Sequence, residues 1–543
     1  MNKVQWEIPA KLKEGEGLEE VRSVLFKNRG IGKREEGDFL HPPHPRAFTP
    51  DDLGVSKKHL ERALDRVQKA IREKQKILVY GDYDADGICA AAIMWEALYT
   101  KGADVRPYIP DRFKDGYGLN PSSLKEILKE NDGINLVITV DNGIVAHEAV
   151  EHLKDNGIDV IVSDHHQKGG ALPKATAVLH TNKVSGATVS YIFARLINPG
   201  YDPLDLVAIG AVADQIPLVG VNRSFVKHGL SALQNTHRPG LRVLFESAKI
   251  EKMGVYEVGF LVAPRINAAG RVEHGIEALR LVCTTSRKRA QELVKLVNSA
   301  NTNRQLLVER LAEKALEEAK GQADEHALVI SGKYHEGVIG LVASKLVEEY
   351  AKPAIVISTD GEVGKASARS VKAVHVLDMI LAQEELILGG GGHPMAAGFS
   401  INIGDIEQFT KNTQRWAKEN IDKGSLQKTI FADIEIPLSV VDWDLLSLVS
   451  EFSPTGIGNP TPLFATRGVL VKNTKVVGST RSHLKLDVAD GSRSYPAIAF
   501  GMGALLENLS NNDSVDILYR LEENNWNGAR EIQLVVKDIK CKK

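Results

Sequence analysis

Apolar residues follow two rhythms along this chain. Over residues 57–74, KKHLERALDRVQKAIREK, they recur at Leu60, Leu64, Val67 and Ile71, the spacing of one helix face. By contrast, ILVY (77–80), INLVITV (134–140) and IDVIVSD (158–164) are unbroken apolar runs, with the helix-like AHEAVEHLKDN between the last two. Unbroken rather than alternating strands, set between helices, predict a parallel sheet covered on both faces. Each run gives way to a polar cluster: GDYDADG, DNG and DHH. Ligands of such sheets bind at the carboxyl ends of the strands, so the three clusters are expected to face one crevice.

Further along, residues 286–320 are rich in helix formers and hold no Gly or Pro, which predicts a long helix connecting two lobes. A second α/β unit follows, with strands HALVIS (326–331) and PAIVIS (353–358) and a glycine-rich LGGGGHPMAAGF (388–399). From about residue 425 the pattern changes to short alternating strands with polar turns, such as SHLKLDVAD and EIQLVVKDIK, the mark of a small all-β barrel of OB type. The first 50 residues are mixed and end in FLHPPHPRAFTPDD, whose four prolines exclude regular helix there. The expected order is an N-terminal segment (1–50), a parallel-sheet α/β domain (51–285), a connecting helix (286–322), a second α/β domain (323–424) and the all-β domain (425–543).

A length of 543 residues agrees with several cores rather than one. The net charge of −2 does not describe a polycation, so a polyanionic ligand would need a local basic groove or metal ions. Cys89, Cys283 and Cys541 lie far apart with no CxxC pair, which argues against a disulfide framework or a structural zinc site and suits a reducing cytoplasm. No apolar run approaches the roughly 18 residues of a membrane span, and MNKVQWEIPAKLKEGEGLEE lacks the apolar core of a signal peptide. A cytoplasmic protein without a membrane is the expectation.

The chemistry concentrates in the polar clusters. Asp82, Asp84 and Asp86 would repel one another in one crevice, and a divalent cation removes that repulsion. Taken alone, DxDxDG also fits a solvated turn or a helix cap. An EF-hand loop starts the same way but needs a glutamate at its twelfth position, where this chain, counted from Asp82, has Ile93. Asp141 repeats the arrangement after a second strand, and Asp164, His165 and His166 stand together after a third. Asp214 falls within the apolar, helix-like AIGAVADQIPL, where an unpaired carboxylate is costly. Mixed carboxylate and imidazole donors suit Mn²⁺ or Mg²⁺, and there are enough acids for two ions sharing a carboxylate, the arrangement of two-metal phosphoester hydrolysis.

GDYDADG, VDNG, SDHH and VADQIPL resemble, in order and spacing, the motifs of the DHH phosphoesterase superfamily. PRINAAGRVEHG (264–275), YHEGVIGLVASKL (334–346), GKASARS (364–370), GGGHPMAAGFS (390–400), SPTGIGNPTPLF (453–464), and NRGI and FLHP near the start narrow the likeness to its bacterial single-strand-specific 5′→3′ DNA exonucleases. The resemblance spans nearly the whole chain and implies a DHH domain, a DHHA1 domain and an OB-fold domain. It also implies Asp84, Asp86, Asp141, His165 and Asp214 as metal ligands, with Asp141 bridging. Asp82 and Asp164 would assist, and His166 would face the scissile phosphate. Arg112, Ser367 and Arg369 would clamp a 5′ phosphate, while Arg265, Asn267, Arg271 and His393 would meet the nucleic acid. A RecQ-type helicase and a single-strand-binding protein are the implied partners, in DNA repair and recombination. Tyr80 stands where related phosphoesterases often have histidine, Tyr334 where tryptophan is usual and Thr455 where an aromatic is usual.

Three other functions fit the sequence less well. A DHH–DHHA1 phosphodiesterase of short oligoribonucleotides or cyclic dinucleotides usually ends after DHHA1, whereas this chain continues into a β domain. An inactive scaffold has no need of intact ligand geometry. An inorganic pyrophosphatase would be shorter.

Overall fold

The computed structural model describes residues 4–111, 118–130, 133–272, 275–491, 493–526 and 528–541. Its first sheet is formed by β1 (Lys76–Tyr80), β2 (Asp104–Tyr108), β3 (Ile134–Val140), β4 (Asp159–Asp164) and β5 (Ala177–His180). They lie in the order β2-β1-β3-β4-β5, and every pairing is parallel. Alternate residues feed two separate cores: Ile77, Val79, Ile138 and Val140 face one side, and Leu78, Tyr80, Val137 and Val160 face the other. Both faces are covered, which is why the strands are apolar throughout. The edge strand β2 carries Arg106 and Pro107, and proline is tolerated there because an edge has no second ladder to serve.

Helix α1 (Ala85–Tyr99) runs back from the first acidic cluster and is buried through most of its length. Its run of small residues, Ala90–Ala92, lets α2 (Gly186–Ile197) and α3 (Leu204–Ala213) approach closely. Helix α4 (Ala263–Val272) packs on α5 (Arg287–Ala319), the long connecting helix, which measures about 50 Å at 1.5 Å per residue. Helix α5 belongs to both lobes. Leu293, Val294 and Val297 join the first core, while Leu311, Ala315 and Ala319 join the second.

The second sheet contains β6 (Leu328–Gly332), β7 (Ala354–Ser358), β8 (Val363–Arg369), β9 (Ile387–His393) and β10 (Ala396–Asn402), in the order β9-β10-β8-β7-β6. Only β6 and β7 pair in parallel; the rest are antiparallel. Helix α6 (Ile339–Tyr350) packs on it. The glycine run is therefore an exposed edge strand rather than a loop. Close packing in the hairpin explains it: a Cβ on Gly390 would come within 2.5 Å of Phe399 Cβ, and one on Gly392 within 2.4 Å of Ala396 O.

The third sheet is a closed barrel of OB type, built from β11 (Phe464–Val477), β12 (His483–Ala489), β13 (Ser494–Ala499), β14 (Ser514–Trp526) and β15 (Ala529–Cys541). The order is β11-β12-β13-β15-β14, and a β14–β11 pairing closes it. Residues 5–40 are part of this lobe. Gln5–Glu7 pair with Thr429–Phe431, and Val21, Leu25, Phe26 and Phe39 share one core with Leu445, Phe452 and the barrel interior. Phe26 and Phe39 lie 4.9 Å and 5.6 Å from the Phe452 ring.

Arg223, only 1% exposed, joins this lobe to the first. Its guanidinium donates to the carbonyls of Phe39 (2.6 Å), Phe452 (3.0 Å), Pro454 (3.0 Å), Glu451 (3.3 Å) and Ser453 (2.7 Å). Four of these carbonyls cluster at the carboxyl end of the helix Trp443–Glu451, where the helix dipole favours a cation. Among the described residues no helix is long and apolar enough to cross a membrane.

Candidate metal centre

Three strand ends and one helix end meet at the carboxyl edge of the first sheet. After β1, Asp82 is buried and Asp84 caps α1, its Oδ1 accepting from Gly87 N at 3.0 Å. Asp86 follows inside the first turn of α1. Its two oxygens accept the first N–H groups of α2, from Gly186 at 2.7 Å and Ala187 at 3.0 Å. The positive end of α2 thus holds this carboxylate in place.

After β3, Asp141 turns the chain with φ 63°, a left-handed conformation that aspartate tolerates better than most residues. Its Oδ1 is buried with no hydrogen-bond donor, although His165 Nε2 stands 3.1 Å away. That Nε2 is also 3.8 Å from Asp86 and 3.7 Å from Asp214. Asp214 lies at the carboxyl end of α3 and not, as its apolar surroundings suggested, within the helix. The stretch stays apolar past the helix end because Leu218 re-enters the core.

Asp164 is fully engaged. It accepts from the N–H groups of His165 (2.7 Å), His166 (3.1 Å) and Ile144 (2.8 Å), and it contacts His166 Nδ1 at 2.8 Å. Its task is to orient the histidine pair.

The electrostatics favour a bound cation. Burial and then the Asp84 charge push Asp82 up to about 8 and Asp86 up to about 7. Burial and then the Asp86 charge push Asp214 up to about 8 and raise Asp141 well above the carboxylate range. Burial and the neighbouring His166 lower His165 to about 4, leaving a neutral ring with a lone pair to offer. For His166, burial opposes the charged form, but the Asp164 hydrogen bond and nearby carboxylates prevail and raise it to about 9.

Three groups of donor atoms lie within 4.8 Å of one another: Asp82, Asp84 and Asp141; Asp86, His165 and Asp214; and Asp141, His165 and His166. The first two describe neighbouring sites, and Asp141 reaches both through its place in one and its contact with His165 in the other. An orphaned buried oxygen, crowded carboxylates and a neutral imidazole make a donor set suited to Mn²⁺ or Mg²⁺. Tyr80 stands apart from these groups: it faces the other side of the sheet from α1, stacks on Tyr108 at 5.3 Å and donates to Gly118 O at 3.2 Å.

Of the residues expected to meet nucleic acid, Ser367 and Arg369 are adjacent. Arg369 Nη1 is 3.1 Å from Ser367 Oγ, and both lie against Gly340 in the first turn of α6. The exposed His393, at the end of β9, is close enough to His165 to add slightly to the lowering of its pKa. Asn267 accepts from Ala85 N–H at 2.7 Å and so braces the metal loop. Arg265 bonds Asn298 and Leu261 O. Arg112 lies outside the described residues, as does the side chain of Arg271, whose backbone belongs to α4.

Two glycines that sequence reasoning passed over complete the site. A Cβ on Gly186 would sit 2.3 Å from Asp141 Oδ1, and one on Gly210 would sit 2.2 Å from Asp86 Oδ1. Their signal was a lone glycine within a helical pattern, which often marks a close approach. Gly210→Ala is expected to displace Asp86 and weaken divalent-ion affinity by about 10- to 100-fold. A Mn²⁺ titration of activity measures it, and an unshifted midpoint would dismiss the cradle.

Family models match residues 76–211 (DHH family, N-terminal domain), 324–419 (DHHA1 domain) and 432–538 (RecJ OB domain). The chain is 32% identical over 539 residues to the single-stranded-DNA-specific exonuclease RecJ of Bacillus subtilis (strain 168), covering 95% of this chain and 67% of that protein. It is similar in structure to RecJ from Thermus thermophilus in complex with Mn²⁺, with a TM-score of 0.83 and 29% identity, covering 99% of this chain and 80% of that one. For the complex with Mg²⁺ from the same organism the TM-score is 0.77 at 28% identity, with 99% and 79% covered.

Proposed function

The chain belongs to the RecJ family of single-stranded-DNA-specific exonucleases, and on that premise we propose that it hydrolyses single-stranded DNA from the 5′ end at a two-ion centre built around Asp141. The observation that carries this reading is the pair of donor groups that Asp141 connects. Asp84, Asp86, Asp141, His165 and Asp214 would hold the ions, and Asp82 contributes an oxygen to the first group. When bound, Mn²⁺ or Mg²⁺ supplies a water acidic enough to attack at neutral pH and neutralises charge on the phosphoryl group.

The chain's own residues do the rest. The α2 amino terminus fixes Asp86, Asn267 braces the loop that carries Asp84, and Asp164 orients His166 through its Nδ1. Held in that orientation, His166 would face the scissile phosphate, where a ring N–H can stabilise the charge that grows on a non-bridging oxygen. The barrel supplies further surface for an unpaired strand.

Ser367 and Arg369, beside the amino terminus of α6, have the chemistry of a terminal-phosphate clamp, with Arg112 as a third member. Arg369→Ala is expected to lower kcat/KM on 5′-phosphorylated strands by about 10- to 100-fold, the loss of one charge-assisted contact. The measurement compares 5′-phosphorylated with 5′-hydroxyl strands; an unchanged preference between them rejects the clamp.

Such an activity, acting in repair and recombination in the cytoplasm, needs strands to be opened and kept single. A RecQ-type helicase and a single-strand-binding protein are the partners of that kind. The direct test incubates the protein with Mn²⁺ and 5′- or 3′-labelled single-stranded DNA, duplex or RNA. Early release of the 5′ label from single-stranded DNA alone is expected. Cleavage confined to very short oligoribonucleotides would favour the phosphodiesterase reading instead.

A further inference from the structure

Two aromatic rings on the first domain are left out of every core. Tyr256 is 61% exposed and Phe260 68% exposed. They stack on each other, with centroids 5.0 Å apart and planes inclined by 24°. Both stand where a π-helical turn, Glu257–Val262, runs straight into α4. The same turn buries Val258 and Val262 completely, so the rings occupy its solvent side. Turns of this kind are rare and recur at functional sites.

Their place in the fold is specific. Gly259, between them, lies against Val212, two residues before Asp214. Farther along the same helical run, Asn267 accepts from Ala85 N–H and Gly270 abuts Tyr83 O, both in the metal loop. From Phe260 to Asn267 the axial distance is about 10 Å. On the other side, Val255 meets Gly456 of the barrel lobe, and Ile457 O accepts from Leu218 N–H at 2.7 Å. The ring pair therefore marks the seam between the barrel and the metal crevice.

We propose that Tyr256 and Phe260 form a stacking platform for unpaired bases a short way behind the scissile phosphate, passing the strand from the barrel to the metal centre. The proposal rests on the exonuclease reading and extends it. Two rings make far too small a patch for a protein partner. Their flat faces suit nucleobases, and stacking tolerates any base sequence. The bases of a duplex already stack on each other and are paired at their edges, so the platform also discriminates for single strands.

Because both rings are exposed, their replacement leaves the core intact. The experiment measures KM and kcat on an oligothymidylate of about 20 nucleotides with saturating Mn²⁺; the Tyr256→Ala, Phe260→Ala double variant should raise KM roughly 10-fold or more, with a smaller change in kcat. The Tyr256→Leu, Phe260→Leu pair keeps apolar area without a π face and should be as poor as the alanine pair, whereas Phe260→Trp should keep KM near the unmodified value. A strand with abasic positions near its 5′ end should bind worse to the unmodified protein and no worse to the alanine pair. Unchanged KM in the alanine pair, or rescue by leucine, would overturn the platform. If the unmodified protein does not degrade single strands at all, the exonuclease reading fails first, and the two failures are thereby told apart.

Discussion

Asp141→Ala will abolish nuclease activity while leaving the protein folded. The carboxylate contacts both donor groups, so its removal weakens two ion sites together, a loss of several kcal/mol and thus about 1,000-fold or more in rate. Turnover near normal at saturating Mn²⁺ would reject the shared ligand. Stability should move the other way. Asp82 and Asp214 are held to about 8 and Asp86 to about 7, against 3.8 for an ordinary aspartate. A folded pKa above the unfolded one gives stability that is full below about pH 4 and is lost as pH rises towards 8. Metal-free protein should therefore melt lower at pH 8 than at pH 5, and Mn²⁺ should close the gap by binding the ionised carboxylates. Without metal, Asp141→Ala should melt no lower than the unmodified protein, because one repelled carboxylate is gone, and it should gain less from Mn²⁺. Thermal melts at the two pH values, with and without the ion, check each statement.

Arg223→Ala is expected to cost about 3 kcal/mol of stability, the order of one or two buried carbonyls left without a donor. The carbonyls of Phe452 and Pro454 keep a second donor in Asn459 Nδ2, at 2.8 Å and 2.9 Å, whereas the side chain that binds all five carbonyls is gone. Arg223→Lys keeps the charge but not the planar fork, so it should recover only part of the loss. Chemical denaturation should show more than a lower midpoint. With its tie removed, the barrel lobe should melt ahead of the first domain, and a single transition should become two. One cooperative transition at the original midpoint would mean that the lobes are held by something else.

The metal centre was legible because strand ends and carboxylates write themselves plainly: unbroken apolar runs that stop at Asp82, Asp141 and Asp164 leave few other arrangements. Asp214 misled in detail, since Ile216 and Leu218 continue the apolar pattern beyond the helix end. Strands β2 and β5 went unnoticed for a similar reason. Arg106 and Pro107 interrupt one, and the other has only four residues. The glycine run of β9 was left without an element, because a strand whose side chains are absent has no period to read. That Asn267 Oδ1 accepts from Ala85 N–H was not legible, because the two residues lie 182 positions apart and nothing nearby in the chain points from one to the other. The embrace between the first forty residues and the barrel was hidden most deeply. Val21, Leu25 and Phe26 announce a buried face, but their partners lie at the other end of the chain.

That embrace has a consequence for how the protein is made. Phe26 leaves the ribosome long before Phe452, which it must meet. With about 400 residues between them and synthesis at about 5–20 residues per second, the wait is roughly 20–80 s. During that interval the first α/β domain can assemble around its own sheet, but Leu25, Phe26 and Phe39 have nothing to cover them. The nascent chain thus carries a sticky segment until the barrel lobe emerges, which makes this segment the natural place for a chaperone to hold. It also makes closing the barrel the step that joins two segments distant in the chain into a single body.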